Sequence, residues 1–180
     1  ITVASSTSTV TYEFTQAGAA IVKYDFNKGA EGFTIKDELH PEGLDASKTV
    51  WATASYSGES YMKASGYISK KQRDSESWLT SPVVDLTAAK SAMLSFTHAL
   101  NNLKGGKIEE HIFLMAKKES DAKWTALTIP AGPTGTSYDK FEAKDIDLKA
   151  FVGSKMQFAF VYKSTTACAP TWQIYNAKVE

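Results

Sequence analysis

Bulky and polar side chains alternate with a period of two along most of the chain. The alternation is plain in Val10-Thr11-Tyr12-Glu13-Phe14, in Lys155-Met156-Gln157-Phe158-Ala159-Phe160-Val161-Tyr162 and in Trp172-Gln173-Ile174-Tyr175-Asn176-Ala177-Lys178-Val179. Such segments put one face of a strand into a core and the other into water. Residues 78–86 and 92–100 predict core strands, and residues 108–116, apolar on both parities, predict a strand with neighbours on both sides. Shorter strands are expected at 21–26, 32–36, 50–56, 61–65, 124–129 and 140–147. Turn signals such as Asn27-Lys28-Gly29, His40-Pro41-Glu42-Gly43, Ser57-Gly58, Lys104-Gly105-Gly106 and Pro130-Ala131-Gly132-Pro133 separate them. They recur about every ten residues, the spacing of sandwiches and barrels. Helical periodicity is confined to single turns at 85–90 and 148–152. With no strand and long-helix alternation, a doubly wound sheet and its nucleotide crevice are disfavoured. The expected fold is all-β, two antiparallel sheets packed as a sandwich.

Composition narrows the partner more than the fold. The 180 residues carry 20 Lys+Arg against 20 Asp+Glu, a formal net charge of zero. Such a chain has no long-range field to attract nucleic acid or an anionic membrane surface. Arg73 is the one arginine, so the planar forks that grip phosphate and carboxylate are almost missing. Ser and Thr number 18 each, which suits the wet faces of two sheets. No apolar run approaches the roughly 20 residues of a membrane-spanning helix. The length predicts one domain, with residues 24–180 as the sandwich and residues 1–23, rich in Ser, Thr and Ala, as a junction or an added edge strand. The first residue is Ile1, and a leader or preceding segment is expected upstream of it. Cys168, the one cysteine, has no charged neighbour in sequence and reads as an inert thiol.

Motifs that carry chemistry are mostly missing. The nearest approach to a serine elbow, Gly58-Glu59-Ser60-Tyr61-Met62, lacks its second glycine, and neither a phosphate-cradling glycine loop nor a His-Glu-x-x-His pair occurs. His40, His98 and His111 are scattered, and the last two sit in apolar strands as packed, hydrogen-bonded histidines. Asp145-Ile146-Asp147 has the alternate spacing that a jelly-roll glycoside hydrolase needs for acid and nucleophile on one strand face, but no third acid continues the pattern. No catalytic residue, metal ligand or cofactor is expected. What remains is surface. Trp51, Tyr56, Tyr61 and Tyr67, interleaved with Ser57, Glu59, Ser60 and Lys63, supply flat rings and polar edges suited to a pyranose. Trp51, Tyr56, Glu59, Tyr61 and Tyr67 are therefore the candidate ligand-binding residues. The competing reading puts Trp51 and Tyr61 in the core, because aromatic residues on strands usually fill a sandwich. Asn101, Asn102, Gly105 and Gly106 form a second candidate rim, against which stands a plain hairpin.

Ser77-Trp78-Leu79-Thr80-Ser81-Pro82-Val83-Val84-Asp85-Leu86 resembles the Trp-Leu-x-Ser-Pro-x-x-Asp-Leu signature of the choice-of-anchor J and cleaved-adhesin group, modules of Bacteroides-like surface proteins. Tyr24-Asp25-Phe26 with Gly32-Phe33-Thr34 is similar to its opening strand pair. Met93-Leu94-Ser95-Phe96-Thr97-His98-Ala99, Lys123-Trp124-Thr125-Ala126-Leu127 and Ile146-Asp147-Leu148 follow in the family's order, as do the two final strands. The likeness covers roughly residues 24–180. It implies a jelly-roll sandwich of galactose-binding or concanavalin-like architecture, exported to the cell surface, outer membrane or periplasm. It implies part of a larger chain or a monomer, with a lipoprotein among the forms. It implies adhesive or carbohydrate-binding activity and no catalytic residues. Relatives hold a structural calcium with acids at positions that are here Asn27 and Tyr175, replacements that put the ion in doubt. Trp78, Pro82, Trp124 and Trp172 recur in the family for packing.

The expected function is a non-catalytic binding module for glycan. The alternative is a structural or protein-adhesion module of a larger surface protein, and a glycoside hydrolase using Asp145 and Asp147 comes third.

Overall fold

The structure, a computed structural model, describes residues 21–130 and 132–180. The strand expected at 10–14 lies outside the described residues. The strands are β1 (Val22–Asp25), β2 (Thr34–Leu39), β3 (Trp51–Tyr56), β4 (Glu59–Ser65), β5 (Tyr67–Ile68), β6 (Lys71–Gln72), β7 (Ser75–Thr80), β8 (Val84–Asp85), β9 (Met93–Asn101), β10 (Ile112–Lys118), β11 (Thr125–Leu127), β12 (Phe141–Asp147), β13 (Lys155–Ser164) and β14 (Thr171–Val179). One sheet has the order β12-β9-β14-β4-β3, with β1 also on β14. The other has the order β11-β10-β13-β7-β2, with β8 also on β13. Every pairing is antiparallel, and the chain passes back and forth between the sheets in the manner of a jelly roll.

The two C-terminal strands are central, one in each sheet, and each shares an edge between two partners. Residues 171–174 of β14 pair with β4, and residues 176–179 pair with β1. Tyr175 falls at the changeover, where the register against β9 also shifts. On β13 the same division has an identifiable cause. The strand expected over 78–86 is broken, because Pro82 has no N–H for the ladder. Ser81 fills the gap: its N–H donates to the Phe158 carbonyl at 2.8 Å, and its Oγ accepts the Phe158 N–H at 3.0 Å. Pairing resumes at β8, opposite Met156 and Lys155.

Other local expectations shift for similar reasons. The helical turn expected at 85–90 is absent. Asp85 Oδ1 instead accepts the N–H of Thr87 at 2.9 Å and its hydroxyl at 2.6 Å, which folds a side-chain-capped turn. Residues 108–110 form a short 3-10 turn, so the strand there starts at Ile112. The turn at 148–152 forms, as 3-10 over Lys149–Phe151. The small β5–β6 hairpin has no apolar alternation by which to anticipate it.

The inward parities meet in a core dominated by rings. Phe96, Phe158, Phe160, Trp51 and Trp172 are wholly buried. Phe160 meets Phe96 at 4.9 Å and Trp172 at 5.8 Å between centroids, both edge-on, the geometry ring quadrupoles favour. Cys168 is buried, with its thiol donating to the Leu103 carbonyl at 2.9 Å, and burial pushes that thiol up in pKa.

Tyr162 stitches the core to the backbone. Its hydroxyl donates to the Pro170 carbonyl at 2.6 Å and accepts the Gly66 N–H at 2.9 Å. Burial raises its pKa, so the phenol stays neutral. Tyr162→Phe keeps the ring and strands both backbone groups, an expected loss of about 2 kcal/mol. A lower urea midpoint with unchanged slope is the signature to look for, and an unchanged midpoint would contradict the assignment.

A tyrosine-lined cleft as the candidate functional site

The hairpin of β3 and β4 turns at Ser57-Gly58, both with positive φ (51° and 82°), the primed turn that matches strand twist. Its register sets which side chains face outward. Met62 and Ala64 of β4 enter the core, so Glu59, Tyr61, Lys63 and Ser65 face away from it. Their partners on β3 are Tyr56 opposite Glu59, Ala54 opposite Tyr61 and Ala52 opposite Lys63. On β14 the outward set includes Gln173 and Tyr175, and Gln173 lies opposite Ala99 of β9. Small residues at Ala54 and Ala99 leave room for two large rings. Tyr61 and Tyr175 occupy it, 5.2 Å apart between centroids and inclined at 50°.

Although they stand on the outer face, Tyr61 and Tyr175 are each only 8% exposed. The segment before β12 closes over them. Lys140 places Nζ 4.3 Å above the Tyr175 ring and 2.5 Å from Glu59 Oε2, a cation shared between a π face and a carboxylate. The Tyr175 hydroxyl donates to Gln173 Oε1 at 2.6 Å. Burial, then the charge of Glu59, pushes the Tyr175 phenol up to about 12, and burial likewise raises Tyr61, so both remain hydroxyl donors. Tyr56 and Tyr138 complete the rim at 77% and 45% exposure. The cleft so formed has a volume of about 610 Å³.

It does not end there. A hollow of about 590 Å³ continues past Lys63 and Tyr138 to Tyr67. A further one of about 220 Å³ lies between Tyr67, Asn102 and Lys104. Asn102 Nδ2 donates to the Tyr138 hydroxyl at 3.3 Å, tying the two ends together. The groove follows β4, whose seven residues at strand rise span roughly 20 Å.

Of the five residues proposed from sequence, Tyr56, Glu59 and Tyr61 line the cleft, and Tyr67 lines the adjoining hollows. Trp51 requires correction. It is 0% exposed, on the opposite parity of β3, with its ring 5.3 Å from Trp172 and its N–H donating to the Ser77 carbonyl at 3.2 Å. Its indole is closed to a ligand on the outer face, although the residue borders the hollow of about 590 Å³. Of the second candidate rim, Asn102 reaches the groove, whereas Gly106 packs inward; a Cβ there would stand 2.7 Å from Cys168 Sγ. Tyr138, Lys140, Gln173 and Tyr175, which also line the cleft, are not among the candidates the sequence offers.

The side chains at the two positions where the resemblance places calcium ligands are engaged in other contacts. Asn27 Oδ1 accepts the Ser60 N–H at 2.6 Å, Asp25 Oδ1 caps Asn27 at 3.1 Å, and the Tyr175 phenol is committed to Gln173. Among the described residues, no three His, Cys, Asp or Glu side chains converge on a common point. The hydrolase pair fares no better. Asp145 sits in a bulge of edge strand β12 with φ 55°, and Asp147 Oδ1 accepts the Lys149 N–H at 2.7 Å. Both side chains are exposed, where nothing would exclude water from a scissile bond.

The outer face of the other sheet carries Trp78 and Trp124, half-buried, with centroids 5.4 Å apart. Trp78 is anchored by its N–H to Glu76 at 3.0 Å, and Lys117 Nζ lies 5.0 Å over Trp124. Among the described residues, no helix is long and apolar enough to cross a membrane.

No family model matches the sequence, and no curated protein matches it. Solved structures of similar fold exist at low identity. The cleaved adhesin domain of Lys-gingipain from Porphyromonas gingivalis is 13% identical, with TM-score 0.49 over 91% of this chain and 98% of that one. A carbohydrate-binding module studied for specific mannan recognition is 12% identical, with TM-score 0.49 over 89% and 96%. Another, solved with β-1,4-galactotriose, is 9% identical, with TM-score 0.48 over 87% and 93%.

Proposed function

We propose that this chain is a non-catalytic carbohydrate-binding module that holds a neutral glycan in the groove along β4. One observation carries the reading: four tyrosines converge with Glu59, Lys63, Lys140 and Gln173 in a single cleft on the outer face of the sheet. Rings offer an apolar face to a pyranose at little entropic cost, and the four polar side chains offer both donors and acceptors to its hydroxyls. The chain's zero net charge suits an uncharged partner. The open, elongated groove accommodates the interior of a chain better than a single sugar. The ordered motifs over residues 24–180 support reading it within the choice-of-anchor J and cleaved-adhesin group, exported to the cell surface.

A panel of immobilised neutral polysaccharides, including galactan, mannan and xylan, tests the proposal. Tyr56→Ala and Tyr138→Ala, both at exposed rim positions, are expected to weaken binding of any hit at least tenfold, while Trp124→Ala on the opposite face leaves it unchanged. No saturable binding to any member, or an equal loss in Trp124→Ala, would overturn it. The Trp78–Trp124 pair favours a second reading, adhesion to a protein through the outer face of the β11-β10-β13-β7-β2 sheet, since paired tryptophans are what protein interfaces use as anchors. A protein partner whose capture is lost in Trp124→Ala and kept in Tyr56→Ala distinguishes that reading.

A further inference from the structure

Zero net charge for the whole chain conceals a local excess along the groove. Among the described residues one acid lines it, Glu59, and that carboxylate is already taken by Lys140 Nζ at 2.5 Å. Past Glu59 the two adjoining hollows are lined by Lys48, Lys63 and Lys104 and, among the described residues, by no Asp or Glu. None of the three lysines forms an ion pair with a described residue. Lys104 Nζ lies 5.9 Å over the Tyr67 ring. Asp45, the acid nearest Lys48 in sequence, is held by the Ser47 N–H at 2.8 Å and the Ser47 hydroxyl at 2.7 Å.

Lys63 stands at the centre of this excess. It is half-buried and lines both the tyrosine cleft and the hollow beyond it. Sheet register decides its neighbours: Ala52 is opposite on β3, Gln173 is opposite on β14, and Tyr61 and Ser65 flank it on the same face of β4. All four are uncharged. Glu59 is four residues back along the strand, roughly 13 Å at strand rise, with Tyr61 between. An ammonium partly removed from water without a counter-ion has lost hydration with no return, so an arriving anion meets a donor already partly desolvated. Ser65 adds a second donor. Its Oγ accepts the Tyr67 N–H at 3.3 Å and the Thr171 hydroxyl at 3.5 Å, which leaves its own proton to give. Lys63 and Ser65 are roughly 7 Å apart along one face, a gap that the long lysine stem and one oxyanion can close.

We infer that the Lys63 end of the groove takes an anionic substituent, a uronic carboxylate or a sulfate ester, carried on an otherwise neutral glycan. Uncharged sugars occupy the tyrosine cleft and the anion lies against Lys63 and Ser65, with Lys48 and Lys104 to either side. Lysine is a point charge without arginine's planar fork and serves either anion. The inference rests on the glycan reading and names the class of glycan.

Galactan, mannan and xylan are each compared, by calorimetric titration, with lightly carboxymethylated and lightly sulfated forms of the same polymer. At low salt at least one charged form is expected to bind about fivefold more tightly than its parent, and the form preferred identifies the anion. The preference is expected to fade as salt is raised to about 0.5 M. Lys63→Gln is expected to bring the charged-to-neutral ratio below about twofold, whereas Lys117→Gln, on the outer face of the other sheet, keeps it. Each ratio is taken within one protein, so a lower folded fraction does not alter it. A wild-type ratio under about twofold for every polymer that binds, a ratio unchanged in Lys63→Gln, or an equal fall in Lys117→Gln overturns this inference and leaves the glycan reading standing. No saturable binding to any parent or charged form overturns both.

Discussion

Trp51→Ala is expected to destabilise the fold by about 3–5 kcal/mol, the range for truncating a buried tryptophan. The indole is completely buried, packs on Trp172 and donates its N–H to the Ser77 carbonyl of the opposite sheet. Truncation removes the ring contact, leaves a cavity between the sheets and orphans the carbonyl, and the fold closes poorly around such a void. Equilibrium urea unfolding measures the loss. Under the proposed function, glycan affinity of the remaining folded fraction is expected to match wild type, because the Trp51 indole points into the core, away from the groove. A variant as stable as wild type but deficient in binding would reverse this assignment.

Stability is also expected to fall steeply on mild acidification. His98 has an ordinary value of 6.5, and burial depresses it to about 4 in the folded state. Between those values the unfolded chain binds a proton that the folded chain refuses. The stabilisation is therefore complete above pH 6.5 and is lost progressively as pH falls towards 4. A gap of this size corresponds to about 3 kcal/mol from this one residue. The groups packed around the ring, Phe96 at 4.8 Å and Trp172, do not titrate in that window, and Glu109 is the acid lining a hollow beside it. Comparing wild type with His98→Gln across pH 4–7 isolates the contribution from that of the carboxylates. An NMR titration in which His98 becomes protonated near pH 6.5 would refute it.

The strands were readable because one face of each is wet, and a period of two survives that condition. It failed where local chemistry intervenes. Pro82 splits a segment whose apolar content looks continuous, and the Asp85 carboxylate captures Thr87 before a helical turn can form. Parity also held the answer for Trp51. Ala52, Ala54 and Tyr56 share the outward face of β3, so an odd-numbered neighbour must point in. Tyr56, Glu59 and Tyr61 were legible as a group because one hairpin presents all three. Tyr138, Lys140 and Tyr175 were not, for their meeting depends on sheet order: β14 lies next to β4 although more than a hundred residues separate them, and Lys140 reaches Glu59 across 81 positions. The apolar strand around His98 predicts a satisfied strand histidine. One nitrogen is satisfied; the other is buried with no hydrogen-bond partner among the described residues, a distinction no sequence pattern announces.

The placement of β13 and β14 at the middle of the two sheets bears on how the chain folds as it is made. Until residues 155–179 leave the ribosome, β9 and β4 have no common neighbour in one sheet, and β10 and β7 have none in the other. The earlier strands can form hairpins such as β3–β4 but not a closed core, and they must wait with their apolar faces uncovered. Folding is thus posed as a late, non-local event, slow by the standards of domains built from local contacts, and the waiting chain is the species most exposed to aggregation.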